Sequence, residues 1–85
     1  MRNLIAGAIL GALPLSAIAA PPPADALPLS EIIAMIEAEH GDRLAYIDEV
    51  EWDDDGYWEI ELKDTDGQDV KLRVDPLTGA ATPRD

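Results

Sequence analysis

Apolar residues in the second half of the chain alternate with polar ones, as in β-strands joined by two turns of equal length. Asp54-Asp55-Gly56 and Thr65-Asp66-Gly67 separate three such stretches. If each turn is a three-residue loop ending in Gly, Trp52 lies opposite Trp58 and shares its face. Both loops then produce one continuous apolar face, so we predict a three-stranded antiparallel meander. The predicted apolar face contains Val50, Trp52, Trp58, Ile60, Leu62, Val70, Leu72 and Val74.

One amphipathic helix precedes these strands. Ile32, Ile33 and Ile36 recur at helical spacing on one side. Ser30 is the expected N-cap, and Gly41 is the expected residue that ends the helix. A helix of about 10 residues is too short to be stable alone, so its isoleucine side should cover the apolar face. The sequence therefore predicts an α+β fold, with one N-terminal helix packed on one face of a three-stranded antiparallel β-meander.

The beginning of the first strand does not fit this regular pattern. Asp48 would point into the core opposite Leu62. We therefore expect a bend or a β-bulge there, which also allows Ile47 to turn inward.

Residues 1–19 have the pattern of a secretory signal peptide. Arg2 is followed by an apolar stretch and then by the small-x-small cleavage sequence Ala17-Ile18-Ala19. A membrane anchor is the alternative, but a span needs about 20 apolar residues and this stretch is shorter. The pattern predicts a periplasmic or secreted protein. After the signal peptide we predict an extended, Pro-rich spacer at 20–28, a domain at 29–81 and a loose tail at 82–85.

The 85-residue chain has 18 acidic residues, 6 Lys and Arg residues and a net charge of −12. This charge disfavours nucleic acid and anionic membranes, and it favours basic partners or cations. With no Cys, no disulfide can stabilise a domain whose small size limits its core.

Four glutamates share the face of the sheet that points away from the helix. Glu51 should lie opposite Glu59 and Glu49 opposite Glu61, with Lys71 and Arg73 beside them on the third strand. Like charges directly opposite one another are destabilising. This acidic face (Glu49, Glu51, Glu59 and Glu61) is therefore either simply solvated, a surface for a basic partner segment, or a divalent-cation site.

The first turn offers weak candidates for a calcium site in Asp53, Asp54 and Asp55. An EF-hand is excluded, because its bidentate Glu position is occupied by Leu62 and strands flank the loop. A weak loop-borne calcium site remains the alternative to a structural role, since Asp suits turns. We otherwise predict no cofactor.

No combination of residues suggests catalysis. The chain has one His and no Cys. His40 lies where a helix C-terminus favours an imidazole, so we interpret it as structural or capping. We predict that the protein is not an enzyme.

The ordered pieces of this pattern resemble the PepSY domain family. They are Glu49-Val50-Glu51, Trp58-Glu59-Ile60-Glu61, Asp66-Gly67 and Val74-Asp75-Pro76-Leu77-Thr78-Gly79, within a region of about 29–81. PepSY domains occur in propeptides of thermolysin-type metallopeptidases and in small secreted or membrane-tethered bacterial proteins. The resemblance implies inhibition or modulation of peptidases, or regulation of envelope proteins. It implies no catalytic residue.

We therefore expect a non-catalytic periplasmic interaction module that modulates an envelope peptidase or a sensor protein through its acidic face. Its partner would be an envelope protein or a basic peptide segment. The alternatives are a weak calcium-binding domain, or a structural domain that self-associates through its first or third strand. We expect a monomer or weak homodimer with no stable membrane insertion after signal cleavage.

Overall fold

The computed structural model describes residues 20–84, so the predicted signal peptide at 1–19 lies outside the described residues. The elements are helix α1 (Leu29–His40), a short 3₁₀ turn (Gly41–Arg43), and strands β1 (Leu44–Asp53), β2 (Tyr57–Asp64), β3 (Asp69–Val74) and β4 (Ala81–Pro83). The strands form one antiparallel sheet in the order β1-β2-β3-β4. The predicted α+β class, with one helix on one antiparallel sheet, is confirmed.

The strand count was wrong, because the sheet has four strands and not three. The fourth strand, β4, pairs Ala81 with Val74 and Thr82 with Arg73, and all of it but Ala81 lies in the tail predicted at 82–85. The reversal is closed by a hydrogen bond from the Asp75 amide to the Ala80 carbonyl at 2.9 Å. A three-residue strand is too short to produce a recognisable alternating pattern.

The predicted register is confirmed along both hairpins. Trp52 pairs with Trp58, and their rings meet edge to face with centroids 5.2 Å apart. Leu62 pairs with Val70 across the second hairpin. Gly56 has φ 105°, the positive value that its turn was expected to require.

The bulge in β1 is also confirmed. The pairing shifts between Ile47 and Glu49, so that Ile47 lies opposite Leu62 and packs against the core. Asp48 is the extra residue and is exposed. A second shift lies between Leu44 and Tyr46.

The beginning of α1 differs from the prediction. The helix begins at Leu29 after Pro28, and no side chain caps it, so Ser30 is not the N-cap. The Pro28 carbonyl instead accepts the amides of Glu31 and Ile32. The described residues 20–28 precede the helix without forming a strand, so α1 is not at the N-terminus. Gly41 ends the helix with φ 53°, as predicted.

The core lies between α1 and the two central strands. Its buried members are Ile32, Ile36, Ile60, Leu62, Leu72 and Val74. Val50 was predicted to be a core residue but is 36% exposed, and Trp52 and Trp58 are only half-buried. The helix covers β2 and β3 and leaves Val50 of β1 exposed on the apolar side.

Residues 20–28 are held against the sheet at two points. The Trp52 indole N–H donates to the Ala20 carbonyl at 2.7 Å, and the Leu27 amide donates to the Pro76 carbonyl at 2.9 Å. A turn between them is closed by the Ala26 amide and the Pro23 carbonyl. The Pro-rich segment therefore contacts the rest of the domain at two points.

Candidate interaction surface

The acidic face forms as predicted. Glu49 pairs with Glu61 and Glu51 pairs with Glu59, while Glu59 and Glu61 face Arg73 and Lys71 on β3. The two β1 glutamates are exposed, and the two β2 glutamates are half-buried between neighbouring strands. All four predicted partner-binding residues therefore share one surface.

Positive charge reaches only part of this surface. The Arg84 guanidinium forms an ion pair with Oε1 of Glu59. Arg84 was missed because the tail was expected to be loose, whereas its amide bonds to the Lys71 carbonyl at 2.8 Å beyond β4. Within residues 20–84, neither Glu49 nor Glu51 makes an ion pair. Glu49 and Glu51 on β1 therefore carry charge that no ion pair among the described residues compensates.

The surface formed by residues 20–84 has depressions on and beside the sheet. One, of about 110 Å³, lies on the acidic face between Glu59, Glu61, Lys71 and Arg84. It is smaller than the roughly 300 Å³ typical of small-molecule sites. It is large enough for single side chains of a protein partner.

Another depression, of about 470 Å³, lies at the end of the sheet near the turn that follows β3. Its charged residues already have partners. The Arg73 guanidinium stacks over the Tyr57 ring at 4.2 Å from the centroid, and Oδ1 of Asp75 accepts the Leu77 amide at 2.8 Å. No free acid–base pair is therefore found in this depression.

The aspartates at the ends of strands shape the turns. Oδ1 of Asp53 accepts the Asp55 amide at 2.8 Å, and Oδ1 of Asp64 accepts the Asp66 amide at 2.9 Å. Asx turns of this kind explain why Asp is favoured there. Asp53, Asp54 and Asp55 do not bring three carboxylates close together within the described residues. The calcium site in this loop stays a prediction.

The structure brings together a different acidic group that sequence reasoning missed. Carboxylate oxygens of Asp48, Glu61 and Asp69 lie within 4.8 Å of one another. Sequence patterns do not reveal this group because its members come from three strands and depend on the bulge at Asp48. The Lys63 ammonium lies 2.6 Å from Asp69, and this hydrogen bond raises the pKa of Lys63 above its usual value. A cation of the protein itself therefore already lies beside the group.

His40 has the capping geometry that its position suggested. Its Nδ1 lies 3.0 Å from the Ile36 carbonyl oxygen. Because a carbonyl oxygen can only accept, Nδ1 carries the proton and donates the hydrogen bond. The contact is made within the last turn of α1 and leaves His40 with a structural role.

The segment Val74–Gly79 also has a structural role. Oδ1 of Asp75 holds the turn, and the Thr78 hydroxyl accepts the Ala80 amide at 3.2 Å. Gly79 is buried beneath Met35 of α1 with φ 77°. The turn thereby positions both the helix and β4.

These features define a small α+β domain with an acidic sheet face and no assembled catalytic group among the described residues. The PepSY_2 family, described as "Peptidase propeptide and YPEB domain", matches residues 3–85, and the chain belongs to this family. Its domains are non-catalytic modules of the propeptide type. No curated protein and no solved structure gives a significant match. Within residues 20–84, no helix has the length and hydropathy needed to cross a membrane.

Proposed function

We propose that this protein is a non-catalytic regulatory module outside the cytoplasm that binds an envelope peptidase or sensor through its acidic face. The observation that carries the proposal is the uncompensated charge of Glu49 and Glu51 beside Glu59 and Glu61. Membership in a peptidase propeptide family supports regulation rather than catalysis.

The charge distribution supports a basic partner segment. On β2, Glu59 has Arg84 as an ion-pair partner and Glu61 faces Lys71. On β1, a lysine or arginine supplied by the partner would compensate Glu49 and Glu51. Such exposed pairs steer association and set specificity, and they weaken as salt screens them.

The test is capture from an envelope extract by the tagged protein and by two charge-matched double variants. Glu49→Lys with Glu51→Lys reverses the β1 charges, whereas Glu37→Lys with Glu39→Lys makes the same charge change on the exposed side of α1. We expect the first pair to weaken capture about tenfold, equivalent to roughly 1.4 kcal/mol. The second pair should leave capture nearly unchanged.

Salt gives a second readout of the same experiment. The screening length falls from about 10 Å at 0.1 M to about 3 Å at 1 M, so capture should decrease over that range. Mass spectrometry identifies the partner, and a peptidase assay with and without the protein measures modulation. Equal capture by both double variants, unaffected by salt, would contradict a role for the acidic face.

Weak calcium binding by the acidic turn and sheet face is the alternative function. A ligand that binds only the folded state increases the free energy of unfolding, by about 2.7 kcal/mol when its concentration is about 100 times Kd. The melting temperature rises as a result. We expect calcium and magnesium to give equal melting temperatures at matched ionic strength. A calcium-specific rise lost in Asp54→Asn would favour the turn, and one lost in Asp48→Asn would favour the three-carboxylate group.

A further inference from the structure

The sheet has an open edge along β1. β3 pairs with β2 on one side and, from Leu72 to Val74, with β4 on the other. Within the described residues, β1 pairs with β2 on one side and has no strand on its other side. The pairing shifts that end at Tyr46 and Glu49 distort the first half of β1, and bulges of this kind discourage further pairing. Regular pairing resumes from Glu49 to Asp53, so this half of β1 is the part of the edge that suits an added strand.

The two faces of this half-strand differ chemically. Glu49 and Glu51 point to the acidic face, while Val50 and Trp52 point to the apolar face beyond the cover of α1. Trp52 is half-buried with its indole N–H bonded to Ala20, so Val50 is the more open position. A strand that pairs with β1 places alternate side chains on these two faces.

Charge decides which strand fits. A second copy of this chain paired through β1 would bring its own glutamates against Glu49 and Glu51, and the chain carries a net charge of −12. Like charges on adjacent strands are destabilising, whereas opposite charges stabilise the pair. The occupant favoured at this edge is therefore a basic strand from another protein.

We propose that the edge Glu49–Asp53 accepts an extended partner segment in which Lys or Arg alternates with Val, Ile or Leu. The inference rests on the proposed function and specifies how the partner binds. The basic side chains face Glu49 and Glu51, and the apolar side chains cover Val50. Main-chain hydrogen bonds to β1 then fix the register, which an acidic surface alone cannot do.

The test uses synthetic peptides of about eight residues, the length of a short strand. The first alternates Lys and Val, and the second has the same composition with the lysines grouped at one end. Fluorescence anisotropy with the labelled peptides should give about tenfold tighter binding for the alternating one. Equal affinities for the two peptides would overturn the proposal, as would no binding of the alternating one.

Backbone methylation separates strand addition from simple charge attraction. Two further alternating peptides carry backbone N-methyl groups on every second residue. The first is methylated on the amides that point to one edge of the extended peptide, and the second on the amides that point to its other edge. A strand pairs with β1 through one of its edges, so one methylated peptide should lose binding and the other should keep it. Equal binding by both would overturn strand addition.

Protein variants distinguish failure of this inference from failure of the proposed function. Val50→Lys places a charge on the apolar face and should weaken binding of the alternating peptide about tenfold. The Val50→Ala protein should bind this peptide nearly as well as the unchanged protein does. If Glu49→Lys with Glu51→Lys abolishes binding of the alternating peptide, but both methylated peptides bind the unchanged protein, the acidic face is supported as the binding surface and strand addition at the β1 edge is excluded. If that double variant binds normally, both proposals are contradicted.

Discussion

Leu62→Ala is expected to lower the free energy of unfolding by about 2–5 kcal/mol. Leu62 is 0% exposed and belongs to the cluster in which Ile32 and Ile36 of α1 meet β2 and β3. Truncation removes buried apolar surface and leaves a cavity between the layers. Domains of this size have a limited core, so the loss is a large fraction of the total stability.

Val50→Ala is the matched control for Leu62→Ala. Both residues are on the helix-facing side of the sheet, but Val50 is 36% exposed. Its truncation should cost less than about 1 kcal/mol, because there is little buried volume to lose. Urea denaturation of both variants measures the difference directly. Equal losses would mean that α1 covers β1 as closely as it covers β2 and β3.

Gly79→Ala is the second change for which we expect a large effect. Gly79 has φ 77°, a left-handed conformation that costs other residues roughly 1–2 kcal/mol. A Cβ atom there would lie 2.6 Å from the Met35 Sδ atom, so the side chain of α1 would also have to move. Overpacking of this kind costs about 1–3 kcal/mol. The variant should therefore loosen the helix and the turn into β4 together.

Two controls divide this loss into its parts. Gly67→Ala meets a similar φ of 84°, but its Cβ would contact nothing within 4 Å, so it should lose the backbone contribution alone. Met35→Ala in the Gly79→Ala background should recover part of the packing contribution. Thermal melts of the four proteins test this division. A loss at Gly67 as large as that at Gly79 would contradict the packing of Met35 on the turn.

The register could be predicted from sequence because two independent constraints agree. The glycine that ends each turn indicates a loop of three residues. The alternation of apolar and polar residues gives one apolar face only if Trp52 pairs with Trp58 and Val50 with Ile60, which is the pairing that such a loop produces. The bulge at Asp48 could be predicted for the same reason, since a regular strand would have buried a carboxylate. The acidic face follows directly, because the register that buries one set of residues exposes the other.

The features that sequence reasoning missed depend on contacts between distant segments. β4 is three residues long and contains Pro83, so it has little strand propensity. Where α1 packs over β2 and β3, Leu27 contacts Pro76 and Met35 contacts Gly79. Neither contact has a periodic signature.

β4 also changes the charge distribution on the acidic face. Arg84 reaches Glu59 only because β4 holds the end of the chain beside β3. Without that ion pair, the four glutamates appeared equivalent. The structure separates them, since β2 has nearby cations and β1 has none in an ion pair among the described residues.

The family signature at the end of β3 is explained by folding rather than by binding. Asp75, Thr78 and Gly79 close a turn against α1 through their hydrogen bonds and the close approach to Met35. These contacts account for the segment by its role in the fold.

The most direct test of the account is amide hydrogen exchange of the protein with and without its captured partner, or with the alternating basic peptide. Added protection should be concentrated in Glu49–Asp53, where a new strand would cover the open edge. The core strand β2 should change little, because its amides are already paired on both sides. Protection confined to α1, or no added protection in β1 while the partner is bound, would contradict the acidic β1 edge as the binding surface.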